Sequence, residues 1–240
     1  NIEIVFGDIR DTEFIKNISQ DINHIYHLSS LIGIPYSYVA SSSYVDVNIN
    51  GALNILNASK GSKNIEKILM VSTSEVYGSA QYIPIDEKHP QVAQSPYSAT
   101  KIAADKLSES YHLSFGLPII IARPFNCYGP RQTARAVIPT IASQLALGSD
   151  TIRLGNIETS RDFNYVEDTV QGLIKICQNN KFIGEQVNIG TGKDIKIRDV
   201  VEILIKIAGV DAKIINDENR YRPTKSEVSR LIADNQKIIN

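Results

Sequence analysis

The sequence predicts an α/β fold: a parallel sheet covered on both faces by helices, followed by a smaller α/β lobe. Three observations carry this. Short apolar runs at 25–28, 68–71 and 118–122 read as strands without in-and-out alternation, which suits a sheet buried on both faces. Between them lie stretches with apolar residues at helical spacing, such as Val45, Ile49, Ala52, Leu53 and Leu56. Strands alternating with helices of this length imply parallel pairing through right-handed crossovers.

In chain order, residues 2–6 read as a short buried strand ending at Gly7-Asp8-Ile9-Arg10-Asp11, and 12–18 as a helix capped by Asp11. Strand 25–28 closes on Ser29-Ser30; helix 44–58 and strand 68–71 follow. A long helix spans 97–115, with Pro96 suited to a first helical position and Ser95 to the N-cap. Strand 118–122 comes next. Beyond it the chain turns irregular through Pro124, Gly129 and Pro130, then resumes as a helix from about 136 to 147, stopped by Gly148. Strands are expected at 151–154, 161–166 and 186–189, with a helix starting at Glu167 and another at 200–207 ended by Gly209. Gly190-Thr191-Gly192 reads as a turn after strand 186–189, and 216–222 as a loop. The sheet domain is thus assigned to 1–126 with 160–190 returning to it, and the smaller lobe to 127–159 and 191–240.

Bulk properties narrow the function. A chain of 240 residues with 42% hydrophobic and 21% charged residues describes an ordinary globular protein, and a net charge of -1 argues against nucleic acid or anionic membrane as partners. Cys127 and Cys177 have no C-x-x-C and no neighbouring histidine, so they read as unpaired thiols of a reducing compartment. His24, His27, His89 and His112 show no metal-ligand spacing, and no metal is expected; His27 reads as packing at a strand end. With no signal peptide and no apolar run of spanning length, the cytoplasm is the expected location.

The chemistry concentrates between Ile68 and Lys101. Tyr97 and Lys101 stand four apart and project from one helix face. A tyrosine titrates near pH ~10; an adjacent ammonium, together with a cationic cofactor ring, favours its phenolate and makes it a usable base for a substrate hydroxyl. Taken alone, such a pair is a weak signal, since a tyrosine and a lysine on a helix surface are usually only a solvated face. Thr73, a hydroxyl at a strand end able to bond the same oxygen, raises its value.

Thr73-Ser74-Glu75-Val76-Tyr77-Gly78, Tyr97-Ser98-Ala99-Thr100-Lys101 and Arg123-Pro124-Phe125-Asn126-Cys127-Tyr128-Gly129-Pro130-Arg131 resemble the extended short-chain dehydrogenase/reductases acting on nucleotide sugars. Arg161-Asp162-Phe163-Asn164-Tyr165-Val166-Glu167-Asp168 and Asn188-Ile189-Gly190-Thr191-Gly192 fit the same family in the same order. Ser72-Thr73-Ser74-Glu75 and Ala134-Arg135-Ala136-Val137-Ile138-Pro139 look most like the NAD-dependent 4,6-dehydratases of legionaminic-type sugar pathways.

The resemblance implies a Rossmann-like, doubly wound parallel sheet binding NAD, with a substrate lobe for a nucleotide-diphosphate sugar. It implies catalytic roles for Thr73, Glu75, Tyr97 and Lys101. It implies cofactor contacts from Asp8 and Ile9 at the adenine, Leu28, Ser29 and Ser30 along the dinucleotide, Asn48 near the ribose, and from Tyr97, Lys101 and Pro124. Read without the family, Asp8 is a turn aspartate and Asn48 a polar residue on an exposed helix face. Substrate contacts fall to Ser74, Asn126, Ile138 at the nucleotide base, and to Arg161 and Arg222, whose forked guanidinium groups match a diphosphate. Arg131 and Arg135 read more simply as solvated. A homodimer through helices 44–58 and 97–115 is also implied.

One departure is plain. Such sheets open with a strand, a glycine-rich turn and a helix, whereas this chain begins at what resembles the family's third strand, and Ile195 stands where Gly190-Thr191-Gly192 would need a third glycine. The sequence therefore reads as a fragment lacking its pyrophosphate-binding loop, and C-terminal residues as well; the alternative is a complete protein that does not bind NAD.

Among reactions, Glu75 favours 4,6-dehydration over 4-epimerisation, since epimerisation has no use for a carboxylate there. A UDP-glucuronate decarboxylase can carry the same Thr-Ser-Glu, and a non-catalytic binding protein is the competing class. Ser74 departs from the aspartate that hexose dehydratases often use as general acid. Glu75 would then handle both protons, Ser74 would hold a water, or the reaction is not dehydration.

Overall fold

The computed structural model describes residues 2–240, which divide into two compact units. Unit 1 takes the chain through Val76, Gln91–Arg123 and Gly172–Val187; unit 2 takes Tyr77–Pro90, Pro124–Gln171 and Asn188–Asn240. These bounds differ from those expected from sequence briefly at 124–126 and 188–190, and at length at 77–90 and 160–171. Both longer segments hydrogen-bond within unit 2: Tyr77 Oη donates to Asn188 Oδ1 at 2.7 Å, Ile85 N to the Ile232 carbonyl, and Asp162 N to the Leu231 carbonyl.

In unit 1, α1 (Thr12–Ile18) starts as expected, with the Asp11 carboxylate accepting from Phe14 N. Then come β1 (His24–His27), the single-turn helices α2 (Ile34–Ser37) and α3 (Ser41–Tyr44), α4 (Gly51–Ser59), β2 (Lys67–Val71), α5 (Pro96–Phe115) and β3 (Ile119–Pro124). β1 pairs parallel to β2, and β2 parallel to β3. Ile68, Leu69 and Met70 are all buried, as are Ile119, Ile120 and Ile121, which is why these strands show no alternation. The core joins Ile15, Ile25, Leu56, Ile68, Met70, Ala104, Ile119 and Ile121. Gly51 lets the chain at Ile9 lie close: a Cβ there would stand 2.9 Å from Ile9 Cγ1.

Two expectations fail here. The strand foreseen at 2–6 is not formed; Ile2, Ile4 and Phe6 are 94%, 76% and 92% exposed. An apolar run becomes a strand only where a neighbour takes its backbone N–H and C=O groups, and among the described residues none does. The helix foreseen over 44–58 is instead α3, a π-helical stretch Val45–Asn50, and α4. Its centre is Asn48, only 1% exposed. The Asn48 amide accepts from Leu31 N at 2.8 Å and Ser30 Oγ at 2.9 Å, and donates to the Leu31 carbonyl and Thr100 Oγ1, both at 3.0 Å. A π-bulge is the usual way a helix re-aims one side chain at such a price in regularity.

Unit 2 is built around β4 (Asn126–Tyr128), α6 (Val137–Ala146), β5 (Thr151–Leu154), β6 (Ser160–Arg161) and β7 (Phe163–Tyr165). The helix α7 (Val166–Gln178) starts in unit 2 and runs into unit 1, as does the chain to the strand β8 (Gln186–Ile189), whose first half completes the unit 1 sheet beside β3 in the order β1-β2-β3-β8. The rest comprises β9 (Ile195–Lys196), α8 (Ile197–Ala208), β10 (Lys213–Asn216), β11 (Arg230–Leu231) and α9 (Gln236–Ile239). Ile141, Leu145, Ile152, Leu154, Ile197 and Val201 form its core. The turn after β8 is organised by Asp162, fully buried, whose carboxylate accepts from Thr191 N, Thr191 Oγ1, Gly192 N and Ala233 N at 2.6 to 3.1 Å. No described helix is long and apolar enough to cross a membrane.

Candidate active site

The site grows from the capped start of α5. Ser95 accepts from Ser98 N while the Ser98 hydroxyl accepts from Ser95 N, and Pro96 opens the helix. This fixes Tyr97 in the first turn, where it is 6% exposed, with Tyr44 meeting its ring edge-on at 6.2 Å. Thr73 follows β2, and Ser74 and Glu75 begin a short 3₁₀ turn. The Thr73 hydroxyl faces the Tyr97 phenol, and the Glu75 and Asp105 carboxylates act on it by charge. Two of the four residues expected to be catalytic, Thr73 and Tyr97, thus meet, and Glu75 stands near enough for its charge to act on the phenol. Ser74 lies beside them in sequence, 2% exposed.

The protein's own groups do not by themselves favour the phenolate. Burial pushes the Tyr97 phenol well above its ordinary value; the facing Thr73 hydroxyl pulls it down, and Glu75, Tyr44 and Asp105 push it further up. Lys101 does not reverse this. Its Nζ donates to the Val71 carbonyl at 2.8 Å, and burial depresses its own pKa against the pull of Asp105. Stripping water from a phenol disfavours its anion more than these neighbours restore it.

A charge chain missed in the sequence lies behind the lysine. Asp105, 2% exposed, accepts from Arg123 Nε at 3.1 Å and Nη2 at 3.0 Å, and from Gln91 Nε2 at 3.4 Å. Burial pushes the Asp105 carboxyl up and the guanidinium draws it back down; since the guanidinium stays charged, the two form an ion pair. The available signal was an aspartate four residues past Lys101, on the buried side of α5.

His27, at the end of β1, is 6% exposed, and burial, with the Lys101 ammonium adding, pushes its imidazole down to about 4. The folded value is below the unfolded one, so as pH falls the unfolded chain takes the proton first. Stability is then full above pH ~6.5 and is lost toward about pH 4, by roughly 3 kcal/mol. Urea unfolding from pH 7 to 4.5 should show this loss shrinking by that amount in His27→Gln; equal pH slopes in both proteins would contradict it.

The remaining expected residues divide. Leu28 and Ser29 are exposed at the C-terminal end of β1, and Ser30 is half-buried. Asp8 is exposed, and hydrogen bonds from the Arg10 side chain hold its carboxyl down at about 2. Ile9 is half-buried on Gly51, its carbonyl accepting from Asn54 Nδ2 at 3.0 Å. Asn48 spends its amide on four internal bonds, which corrects the exposed-face reading and leaves it no free donor or acceptor for a ribose. Pro124 ends β3.

In unit 2, Asn126 lies on β4 with a buried Oδ1 that meets no partner. Arg161 is 6% exposed, donates to the Ser160 carbonyl at 2.8 Å and lies 3.8 Å from Glu227, so it is no solvated arginine. Arg222 is half-buried, and Ile138 packs against the α6–α8 core. Arg131 and Arg135 are exposed.

A parallel sheet flanked by helices, with a buried tyrosine and lysine one turn apart on α5, is an open α/β architecture of the kind that binds ligands at the carboxyl ends of its strands. The profile of the GDP-mannose 4,6 dehydratase family matches residues 1–240, and the chain belongs to that family, within the extended short-chain dehydrogenase/reductases. The low-salt glycan biosynthesis protein Agl12 of Haloferax volcanii is 32% identical over 209 residues, 87% of this chain and 67% of that protein. Among solved structures, the dTDP-glucose 4,6-dehydratase DesIV of Streptomyces venezuelae, with NAD bound, superposes at TM-score 0.87 and 27% identity, covering 97% of this chain and 70% of its own. The UDP-glucuronic acid 4-epimerase of Bacillus cereus, in complex with UDP-glucuronic acid and NAD, gives TM-score 0.88 and 31% identity over 97% of this chain and 72% of its own. Curated relatives are longer; of a dTDP-D-glucose 4,6-dehydratase from Dictyostelium discoideum the chain spans 50%.

Proposed function

We infer that the protein is an NAD-dependent nucleotide-sugar 4,6-dehydratase acting on a UDP- or GDP-linked hexose such as N-acetylglucosamine. The observation that carries this reading is Glu75, a half-buried carboxylate in the turn after β2, whose backbone N–H donates at 3.3 Å to the Thr73 hydroxyl that faces Tyr97. Dehydration needs such a base; epimerisation does not.

The residues present fit the cofactor. Leu28 is 60% exposed beside Ser29 at the C-terminal edge of the parallel sheet, where open α/β sheets bind dinucleotides. Leu28, Ser29, Ser30, Asp8 and Pro124 would line NAD, and Asn48 would act on it indirectly, by fixing Ser30 and Leu31. When bound, NAD supplies the hydride acceptor for C4 and the hydride donor for C6, and its cationic ring favours the phenolate that burial alone opposes.

In this reading Tyr97, helped by Thr73 and Lys101, takes the C4 hydroxyl proton. Glu75 would take the C5 proton, made acidic by the C4 ketone, and pass it to the departing C6 hydroxyl, which leaves as water; as C6 is reduced, a solvent proton would return to C5 through Glu75. Ser74, at 2% exposure, would hold a water or hydroxyl rather than serve as the acid. Arg161 and Arg222 would hold the diphosphate, the partnerless Asn126 Oδ1 would accept from the substrate, and Ile138 would pack on the base. The enzyme would work in the cytoplasm as a homodimer through residues 44–58 and 97–115, where Leu113 is 82% exposed.

A 4-epimerase is the second reading, favoured by Ser74 standing where an acid would serve, and a UDP-glucuronate decarboxylase the third. Mass spectrometry of the full-length protein with NAD and UDP- or GDP-N-acetylglucosamine should show a product lighter by one water. Conserved mass with a changed sugar would indicate the epimerase, and loss of carbon dioxide from UDP-glucuronate the decarboxylase.

A further inference from the structure

We propose that Asp105, clamped by Arg123, is a positioning residue for the reaction: it is the buried counter-charge that keeps the Lys101 ammonium in place one turn from Tyr97. The inference rests on the Tyr97–Lys101 reading of the site and names a residue that acts on it from behind.

The geometry starts on α5. Tyr97, Lys101 and Asp105 are spaced four apart and so share one helix face, and all three are buried, at 6%, 4% and 2% exposure. A lysine ammonium has three donors and needs either water or an anion. Lys101 has one hydrogen bond, to the Val71 carbonyl, and among the described residues no carboxylate stands within ion-pair distance. His27, at the end of β1 and within reach of the ammonium's charge, is kept neutral by burial and offers it no counter-charge. The remaining charge acting on the ammonium is that of Asp105, which opposes the effect of burial.

Arg123 explains why Asp105 stays where it is. The guanidinium, 1% exposed on β3, places both Nε and Nη2 on Asp105 Oδ2, and Gln91 adds a third donor to that oxygen. This fixes the carboxylate without placing it on the lysine. Lys101 therefore keeps its Nζ on the Val71 carbonyl, at the β2 end that leads to Thr73 and Glu75. A direct Lys101–Asp105 salt bridge would draw the ammonium away from the tyrosine's end of the helix.

Removing this one negative charge should lower the pKa of every group it supports, the Lys101 ammonium and the Tyr97 phenol alike. A carboxylate that served only packing would leave both titrations where they are.

The test is Asp105→Asn in the full-length protein carrying ε-¹³C-labelled lysine. The Lys101 resonance is assigned by its absence in Lys101→Met. Its titration midpoint should fall by about one pH unit or more relative to wild type, and both limbs of the kcat–pH profile should move to lower pH. If the single substitution does not fold, Arg123→Gln keeps a hydrogen-bond donor on Asp105 but removes the opposing positive charge, and the Lys101 midpoint should then rise. An unchanged lysine midpoint in a folded variant overturns the proposal, and so does a failure of both variants to fold, which would make the pair structural. The NMR titration needs no substrate. A wild type that turns over no nucleotide sugar, with a lysine that still shifts, would sink the dehydratase reading alone; a competent wild type with an immobile lysine would sink this inference alone.

Discussion

Tyr97→Phe is expected to lower kcat by about 10³-fold or more while leaving the fold intact, because it deletes the one group placed to take the C4 hydroxyl proton. The substitution removes a single buried hydroxyl, and burial already holds that hydroxyl in its neutral form. Its loss leaves only the half-buried Thr73 hydroxyl to be solvated, so the melting temperature should move little. NAD affinity, read by quenching or calorimetry, should change by no more than a few-fold, since Lys101 and the β1 end remain. The measurement is single-turnover product formation by mass spectrometry alongside cofactor binding. Turnover within tenfold of wild type would remove Tyr97 from the mechanism; collapse of both NAD binding and stability would mean the ring is structural. The same experiment at high pH is informative: as the phenol is pushed up by burial, the wild-type rate with bound cofactor should rise with pH before Lys101 begins to lose its proton.

Asp162→Ala should cost about 4 kcal/mol or more of unfolding free energy, a large share of what a domain has to lose. The Asp162 carboxylate receives four donors, and the alanine would leave Ala233 N without an acceptor in a buried site and take the acceptor from the part-buried Thr191 N and Gly192 N as well. Asp162→Asn should cost about half as much, because the amide keeps one acceptor oxygen but turns a second donor toward groups that also donate. Urea denaturation of wild type and both variants checks the order. Equal stability of Asp162→Asn and wild type would show that water serves the turn as well as the carboxylate does. Gly190 belongs to the same arrangement for steric reasons: a Cβ there would stand 2.5 Å from Ala233 Cβ and 2.9 Å from Asp162 Oδ2.

These two residues mark how much could be read in advance. Tyr97 was legible because its signals are local: a cap at Ser95, a proline at the first helical position and a lysine four residues on all lie within seven residues of chain. Strands 151–154 and 186–189 were legible for the same reason, since short apolar runs bounded by turn residues define themselves. Asp162 was quoted within a motif and its work went unseen, because its acceptors are used by donors 29, 30 and 71 residues away. The strands β6, β9 and β11, two residues each, carry no periodicity to read.

By itself the sequence determined the alternation of strands and helices, the family, and the placing of Tyr97 and Lys101 on one helical face. Each follows from backbone preferences and spacings of a few residues. Only the tertiary structure decided that burial raises the phenol, that Asn48 turns inward through a π-helical stretch, and that Asp105 is locked to Arg123 across 18 residues. Desolvation and pairing depend on which distant groups a folded chain brings within a few ångströms, and no local pattern records that distance.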